Sequence, residues 1–334
     1  MQTIVRVISF ALFFIVSHVV AIEPGKVSGG AQYEIPSWFS DSFLDIGDDV
    51  EEAADEDKKV LLFFHLDGCP YCDAMLDQNF KTGENQAFIQ DNFSVIAVNI
   101  KGNREITMPD GESMEEKDLA KSLGVKYTPA IVFLNKDGKQ IFRTNGYRNP
   151  KLFGHTVEYV AKNHIGKQTL NQFIAQKAQP SYQFAEHDML SSMTDLSGLS
   201  DPVLMLFEDQ RCTGCQDLHT NLLNRDDVRD ELDKFVFLRF DTDSDKKITW
   251  FDGTQLIPKQ VAQKYNLSYR PGFLLFDEGK KIIEIDNRLY SFHFNTVLSF
   301  VSGRNYKTYE DFNAYRNALQ GKLLEQGINI NLVD

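Results

Sequence analysis

The stretch Val60-Leu61-Leu62-Phe63-Phe64-His65-Leu66-Asp67-Gly68-Cys69-Pro70-Tyr71-Cys72 passes from five apolar residues, through a short polar turn, into a Cys-x-x-Cys pair. An apolar run this short, closed by a turn, reads as a strand buried on both faces. Met75, Leu76 and Phe80 follow the pair at helical spacing. Pro70 suits the first turn of a helix, where its missing N–H costs nothing. The cysteines therefore stand at a strand-to-helix junction. The same arrangement returns later: Val203-Leu204-Met205-Leu206-Phe207 leads to Cys212-Thr213-Gly214-Cys215, and Leu218, Leu222 and Leu223 follow.

Other landmarks keep step with the cysteines. Lys126-Tyr127-Thr128-Pro129 answers to Ser268-Tyr269-Arg270-Pro271, Asp110-Gly111 to Asp252-Gly253, and Tyr159-Val160 to Phe300-Val301, all at offsets of 141 to 143 residues. Such a register means a duplicated domain. Each copy reads as strand, cysteine pair, helix, and a second strand (Phe93 to Ile100, or Phe235 to Phe240). A short helix (Asp118 to Leu123, or Lys259 to Tyr265) and the Tyr-x-Pro element come next. A hairpin turning at Asp137-Gly138 or Glu278-Gly279 and a closing amphipathic helix complete each copy. This predicts an α/β protein of two tandem domains, at residues 33–178 and 203–328, each a central mixed sheet flanked by helices. Residues 179–202, where Ser, Asp, Gly and Pro break the periodicity, are expected to link them.

The formal charge of −13 opposes binding to a phosphate backbone or an anionic membrane, and no basic run offsets it. Nucleic acid is excluded as a partner. The run Glu51, Glu52, Asp55, Glu56, Asp57 reads as the solvated face of a helix. Residues 1–21 read as an export signal: Arg6, then the apolar run Val7 to Val20, with cleavage expected after Ala21. No later stretch has the roughly 20 apolar residues of a membrane span. Asn92 and Asn266 open Asn-x-Ser triplets, but no endoplasmic reticulum retention signal ends the chain, so a bacterial periplasm is the expected location.

All four cysteines fall in the two pairs, which suggests chemistry and not a disulfide scaffold. A shared four-cysteine zinc site is the metal alternative, but Asp73 and Gln216 stand where a zinc knuckle normally carries Gly. No metal and no cofactor is expected. Only a thiolate attacks a disulfide, and a cysteine at a helix N-terminus has its thiolate favoured by unpaired N–H groups and the helix dipole. Cys69 and Cys212 are thus the expected nucleophiles, with Cys72 and Cys215 as resolving thiols. Tyr71 is expected as an exposed aromatic beside the first nucleophile, and Arg211 as a cation beside the second.

At these residues the chain resembles the thioredoxin superfamily, and more narrowly the periplasmic thioredoxin-related proteins of the sulfur-oxidation (SoxW) type. The first copy carries the closer match, in Trp38-Phe39-Ser40-Asp41-Ser42-Phe43-Leu44-Asp45, Gly68-Cys69-Pro70-Tyr71-Cys72, Gly102-Asn103-Arg104-Glu105 and Tyr127-Thr128-Pro129. The resemblance implies that Pro129 and Pro271 are cis and face the cysteine pairs. It implies that Thr128 and Arg270 offer backbone to an extended substrate, with Tyr71 beside it. Arg270 departs from the small or β-branched residue usual there, which puts docking at the second site in question. Thioredoxin's buried Asp is replaced by Phe63 and Leu206, leaving His65 and Glu208, two residues on, as candidate proton acceptors.

The implied activity is thiol–disulfide exchange in the periplasm: a disulfide reductase or carrier that takes electrons from a membrane thiol donor and serves exported proteins. An oxidase or isomerase would use the same residues. A different class also stands open, a binding or adaptor protein in which the second pair, or both, is a structural disulfide.

Overall fold

In the computed structural model, which describes residues 23–334, each copy builds one four-stranded sheet. The export signal expected at residues 1–21 lies outside the described residues. In the first sheet Lys59–His65 is central, parallel to Phe93–Asn99 and antiparallel to Ala130–Leu134, which pairs in turn with Gln140–Asn145. In the second, Val203–Glu208 is central, parallel to Val236–Asp241 and antiparallel to Gly272–Asp277, with Lys280–Ile285 at the edge. In both return strands antiparallel pairing is long: it continues to Ala130 opposite Asn145 in the first and begins at Asp277 opposite Lys280 in the second. Glu278 and Gly279 both take positive φ, 52° and 70°, as a two-residue hairpin of this twist requires.

The unbroken apolar runs have a direct cause. Side chains alternate faces along a strand, so Leu61 and Phe63 enter the core under the helix Pro150–Ala161, whereas Leu62 and Phe64 enter the one under Ile46–Asp55 and Glu116–Ser122. Leu204 and Leu206 divide from Met205 and Phe207 in the same way. A strand covered on both sides has no polar positions to spare.

The two cysteine helices differ. Pro70–Leu76 opens immediately after Cys69 and runs on into a π turn, Asp77–Lys81. In the second copy the helix begins only at Cys215, lasts to Asp217, and enters its π turn at Leu218–Leu222. The expectation that a helix opens at Cys212 is therefore corrected. Proline presets helical φ at the first position, while the Thr213-Gly214 dipeptide has poor helix propensity and no such constraint.

Residues 179–202 contain no helix or strand, yet they are not a free spacer. Ser181 and Tyr182 donate backbone N–H groups to Gln210 O, and Ser191 and Asp195 bridge to Leu238 and Thr249. Leu196 is fully buried beside Met205 and Phe207. The segment lies along the second domain. Turn-forming residues broke its periodicity, but its partners are remote in sequence.

Three sets of contacts stand out where the two domains dock. Val27–Ser28 pairs with Ile330–Asn331 near the other end of the chain. Arg148, 1% exposed, donates to Asp286 O at 2.6 Å and Oδ2 at 3.2 Å, and its guanidinium lies over the Tyr269 ring. Asp286 also accepts from the Ser268 and Tyr269 N–H groups, each at 2.6 Å. Beside this pair Gly146, at φ 72°, leaves no room for a side chain: a Cβ would stand 2.3 Å from Asn287 Cβ.

The third set involves Tyr71, which is buried and not the exposed aromatic expected. Its ring stacks on Tyr290 at 4.9 Å, its oxygen accepts from the Tyr290 N–H at 2.9 Å, and its hydroxyl is left to donate to His293 Nδ1 at 3.2 Å. These partners lie some 220 residues further along the chain, out of reach of any local pattern. Burial, reinforced by Arg316, pulls the His293 pKa down to about 4, so the ring stays neutral and can accept.

Two outcomes are expected. Asp286→Ala strands a buried guanidinium and should cost about 3 kcal/mol or more, whereas Arg148→Met, which leaves Asp286 its N–H donors, should cost clearly less; urea denaturation orders the two. The depressed His293 pKa means that its contribution is complete above its ordinary value of 6.5 and lost as pH falls towards 4. The stability difference between the native chain and His293→Gln should therefore shrink from pH 7 to pH 4. A constant difference across that range would contradict the assignment.

Candidate active sites at the two cysteine pairs

Cys69 and Cys72 form a disulfide, as do Cys212 and Cys215, with Cα separations of 5.3 and 5.6 Å. Among the described residues no group of three or more His, Cys, Asp or Glu side chains is placed to hold a metal. Each pair lies at the end of its central strand.

In the first site the Cys69 side chain caps the helix: its Sγ accepts from the Cys72 N–H at 3.1 Å. Thr128 lies opposite, its hydroxyl donating to the same sulfur at 3.4 Å and its carbonyl oxygen 3.7 Å away. The Thr128–Pro129 bond is cis. The structure thus brings Cys69, Cys72, Thr128 and Pro129 together around one sulfur that receives two hydrogen bonds. Both donors would stabilise negative charge on it.

The second site keeps the frame without these donors. The Arg270–Pro271 bond is also cis, and Gly214 sits against the Pro271 ring. No side-chain cap is formed at the helix start. Arg270, expected to dock substrate, turns inward instead. Its side chain is only 9% exposed and donates to Leu267 O at 3.2 Å and Tyr269 O at 2.8 Å, close to Asp209. There the two backbone carbonyls satisfy its donors, and the partly buried Asp209 carboxylate, 3.8 Å away, offsets its charge. Arg211, expected as a cation beside Cys212, spends its charge on Asp243 at 2.5 Å and on Asp209.

The candidate proton acceptors have different surroundings. His65 is buried, and its Nδ1 lies 3.1 Å from the Tyr33 hydroxyl, which itself donates to Leu66 O. Nδ1 must then carry the proton, and burial holds the ring neutral by pulling its pKa down. Glu208 is fully buried and accepts through Oε1 from His219 Nε2 at 2.9 Å and from the Tyr182 hydroxyl at 3.3 Å. Its Oε2 and His219 Nδ1 have no hydrogen-bond partner among the described residues. No hydrogen bond joins His65 or Glu208 to a sulfur.

Tyr33 and Tyr182 were missed in the sequence, as was His219. Each tyrosine sits on an extended segment that crosses the cysteine loop. Ala31 N bonds Gly68 O, and Tyr182 N bonds Gln210 O. Each hydroxyl reaches the residue four before the first cysteine. The pairs Gln32-Tyr33 and Ser181-Tyr182 were the available signal, but they lie 149 residues apart, six out of register with the cysteines.

Both pairs face the opposite domain. Cys69 is 7% exposed and Cys212 4%, and both resolving cysteines are fully buried. Tyr71 of the first motif contacts Tyr290 and His293, while Thr213 of the second receives a 2.7 Å hydrogen bond from Asn149. Tyr182 and Phe184 close over Cys212 and Cys215 from the near side.

A family model, the thioredoxin-like domain, matches the chain twice, at residues 46–161 and 191–301. No curated protein matches it. Among solved structures, a thioredoxin-fold protein from Helicobacter pylori is similar at 26% identity, over 36% of this chain and 84% of its own, with a TM-score of 0.32. The DsbH oxidoreductase is similar at 20% identity over 39% and 92%, TM-score 0.29. The oxidised C-terminal domain of DsbD from Neisseria meningitidis is similar at 21% over 35% and 89%, TM-score 0.26. Two matched regions spanning most of the chain, with two Cys-x-x-Cys pairs at disulfide distance that fit thiol–disulfide oxidoreductases, show that this protein belongs to the thioredoxin-like domain family.

Proposed function

We propose that the protein is an exported thiol–disulfide oxidoreductase of the periplasm, and that Cys69 and Cys72 are its exchanging pair. One observation carries this reading: the Cys69 sulfur, at a helix N-terminus, receives the Cys72 N–H and the Thr128 hydroxyl. When the pair is reduced, both donors face a thiolate. Cys69 attacks a client disulfide, the mixed disulfide forms, and Cys72, one turn inward, displaces the client thiol. Thr128, beside the cis Pro129, supplies backbone to the client chain. A membrane thiol donor restores the reduced pair, and exported proteins are the clients. The candidate proton acceptor of this site is His65, whose neutral ring leaves Nε2 unprotonated, although its hydrogen bond is to Tyr33 and not to a sulfur.

A second role for the other pair has its own support. Cys212 lacks the helix cap, Arg270 is committed to its own domain, and Tyr182 covers the sulfurs. These features suit a disulfide retained as a staple. In that reading the second domain serves the first as a docking partner, and Glu208 with His219 is a buried polar cluster.

The expected outcomes separate these roles. With dithiothreitol, the native chain should accelerate insulin reduction, Cys69→Ser should abolish the effect, and Cys212→Ser should leave most of it. Cys72→Ala should accumulate mixed disulfides with periplasmic proteins, which mass spectrometry can identify. Equal loss from Cys69→Ser and Cys212→Ser would place both pairs in the reaction. Full activity in Cys69→Ser would refute the assignment.

A further inference from the structure

A cleft of about 260 Å³ lies over the first pair, and only one of the two sulfurs, Cys69, lines it. Its walls come from both domains: Tyr71 and Thr128 from the first, His293, Val297, Phe312 and Arg316 from the second. The volume falls below the roughly 300–1,000 Å³ of pockets for drug-sized ligands, and Cys69 is 7% exposed. In the docked arrangement a small molecule fits over this sulfur, while a folded protein is kept away from it.

The cavity carries one unanswered charge. Arg316, on the helix Phe312–Glu325, forms no salt bridge among the described residues. Its polar contact is with Asn317 Oδ1 at 3.3 Å, and Asp311 is the carboxylate that acts on it at longer range. A partly buried guanidinium without a paired anion is under-satisfied, and a carboxylate is its planar, two-pronged complement. The other charged lining groups do not fill that role. Glu284 is exposed and held by Lys281 at 2.6 Å, and Asp67 is exposed and screened by water. His293 stays neutral and is taken by Tyr71.

We infer that this cavity binds a low-molecular-weight thiol bearing a carboxylate, held by Arg316 and delivered to Cys69. The inference rests on the reading that Cys69 and Cys72 exchange. The thiolate adds to Cys69 Sγ, the bond to Cys72 breaks, and Cys72 departs as the thiolate. A second molecule attacks the mixed disulfide and leaves as the small disulfide, releasing Cys69. Two thiols are oxidised, one protein disulfide is reduced, and the protons of the two thiols pass to solvent or to the new cysteine thiols. The reverse sequence reduces the small disulfide. This is the small-molecule half of a cycle whose other half, with a protein client, needs the domains apart.

The test uses the full-length oxidised chain. Reduction of the Cys69–Cys72 pair is followed by quenched alkylation and peptide mapping, and rates are expressed per thiolate for 3-mercaptopropionate, 2-mercaptoethanol and cysteamine. The anionic thiol should react about tenfold faster than the neutral one, and the cationic thiol slowest, as a partly buried positive charge lining the same cleft dictates. Arg316→Gln should abolish that order, and Arg316→Lys should keep most of it. Added salt, which needs no variant, should weaken the preference. Equal rates for the three thiols, or an unchanged order in Arg316→Gln, overturns the inference alone, provided dithiothreitol still reduces the pair. Failure of dithiothreitol to reduce Cys69–Cys72 overturns the exchange reading as well.

Discussion

The carboxylate of Asp286 holds the molecule to one arrangement. It accepts Arg148 from the other domain and the N–H groups of Ser268 and Tyr269 from its own. A buried guanidinium and a buried carboxylate cannot part without each paying for desolvation, so relative domain position has few alternatives. The same carboxylate fixes the loop that enters Pro271. Docking of the first domain and geometry of the second site therefore share a single anchor. Gly146 belongs to this constraint, since only a residue without Cβ lets the Asn287 side chain pack against the first domain's backbone there.

Docking has a consequence for both cysteine pairs, because each motif uses an inner residue to touch the other half. Tyr71 meets Tyr290 and His293, and Thr213 meets Asn149. Residues between the cysteines of such a motif commonly face solvent or substrate, and here they face protein. Thiol chemistry and domain packing thus compete for one surface. The Tyr71 contacts are built from neutral groups, two tyrosines and a depressed histidine, so the charge cost of separating the domains falls on Arg148 and Asp286.

The fold was legible in the chain because its signals are local. Five apolar residues ending at a cysteine pair name a doubly covered strand, and Pro70 names a helix start. The second strands and short helices were placed within a few residues, the usual uncertainty at element ends. What escaped was long-range. Tyr71 reads as an exposed aromatic until residue 290 is brought beside it, and Arg270 reads as a docking residue until Asp209 and two carbonyls claim its side chain. Residues 179–202 have the composition of a linker, yet backbone pairing with Gln210 and Leu238 binds them to a sheet. Tyr33 and Tyr182 stand outside the register of the repeat and so went unread.

The contrast between the sites comes down to which term wins at the sulfur. Both pairs are covered, and cover disfavours a thiolate by removing it from water. At Cys69 that cost meets a helix cap of about 1 kcal/mol and a helix dipole of about 0.3–1 kcal/mol, with the Thr128 hydroxyl in addition. At Cys212 the cover is as complete, the cap is absent, and the adjacent arginines are neutralised by Asp209 and Asp243. A difference of 1–2 kcal/mol amounts to roughly a factor of ten in thiolate population. Duplicated frames with the same cysteine spacing can therefore differ in reactivity through two intervening residues: Pro70-Tyr71 starts a helix at the sulfur, and Thr213-Gly214 delays it.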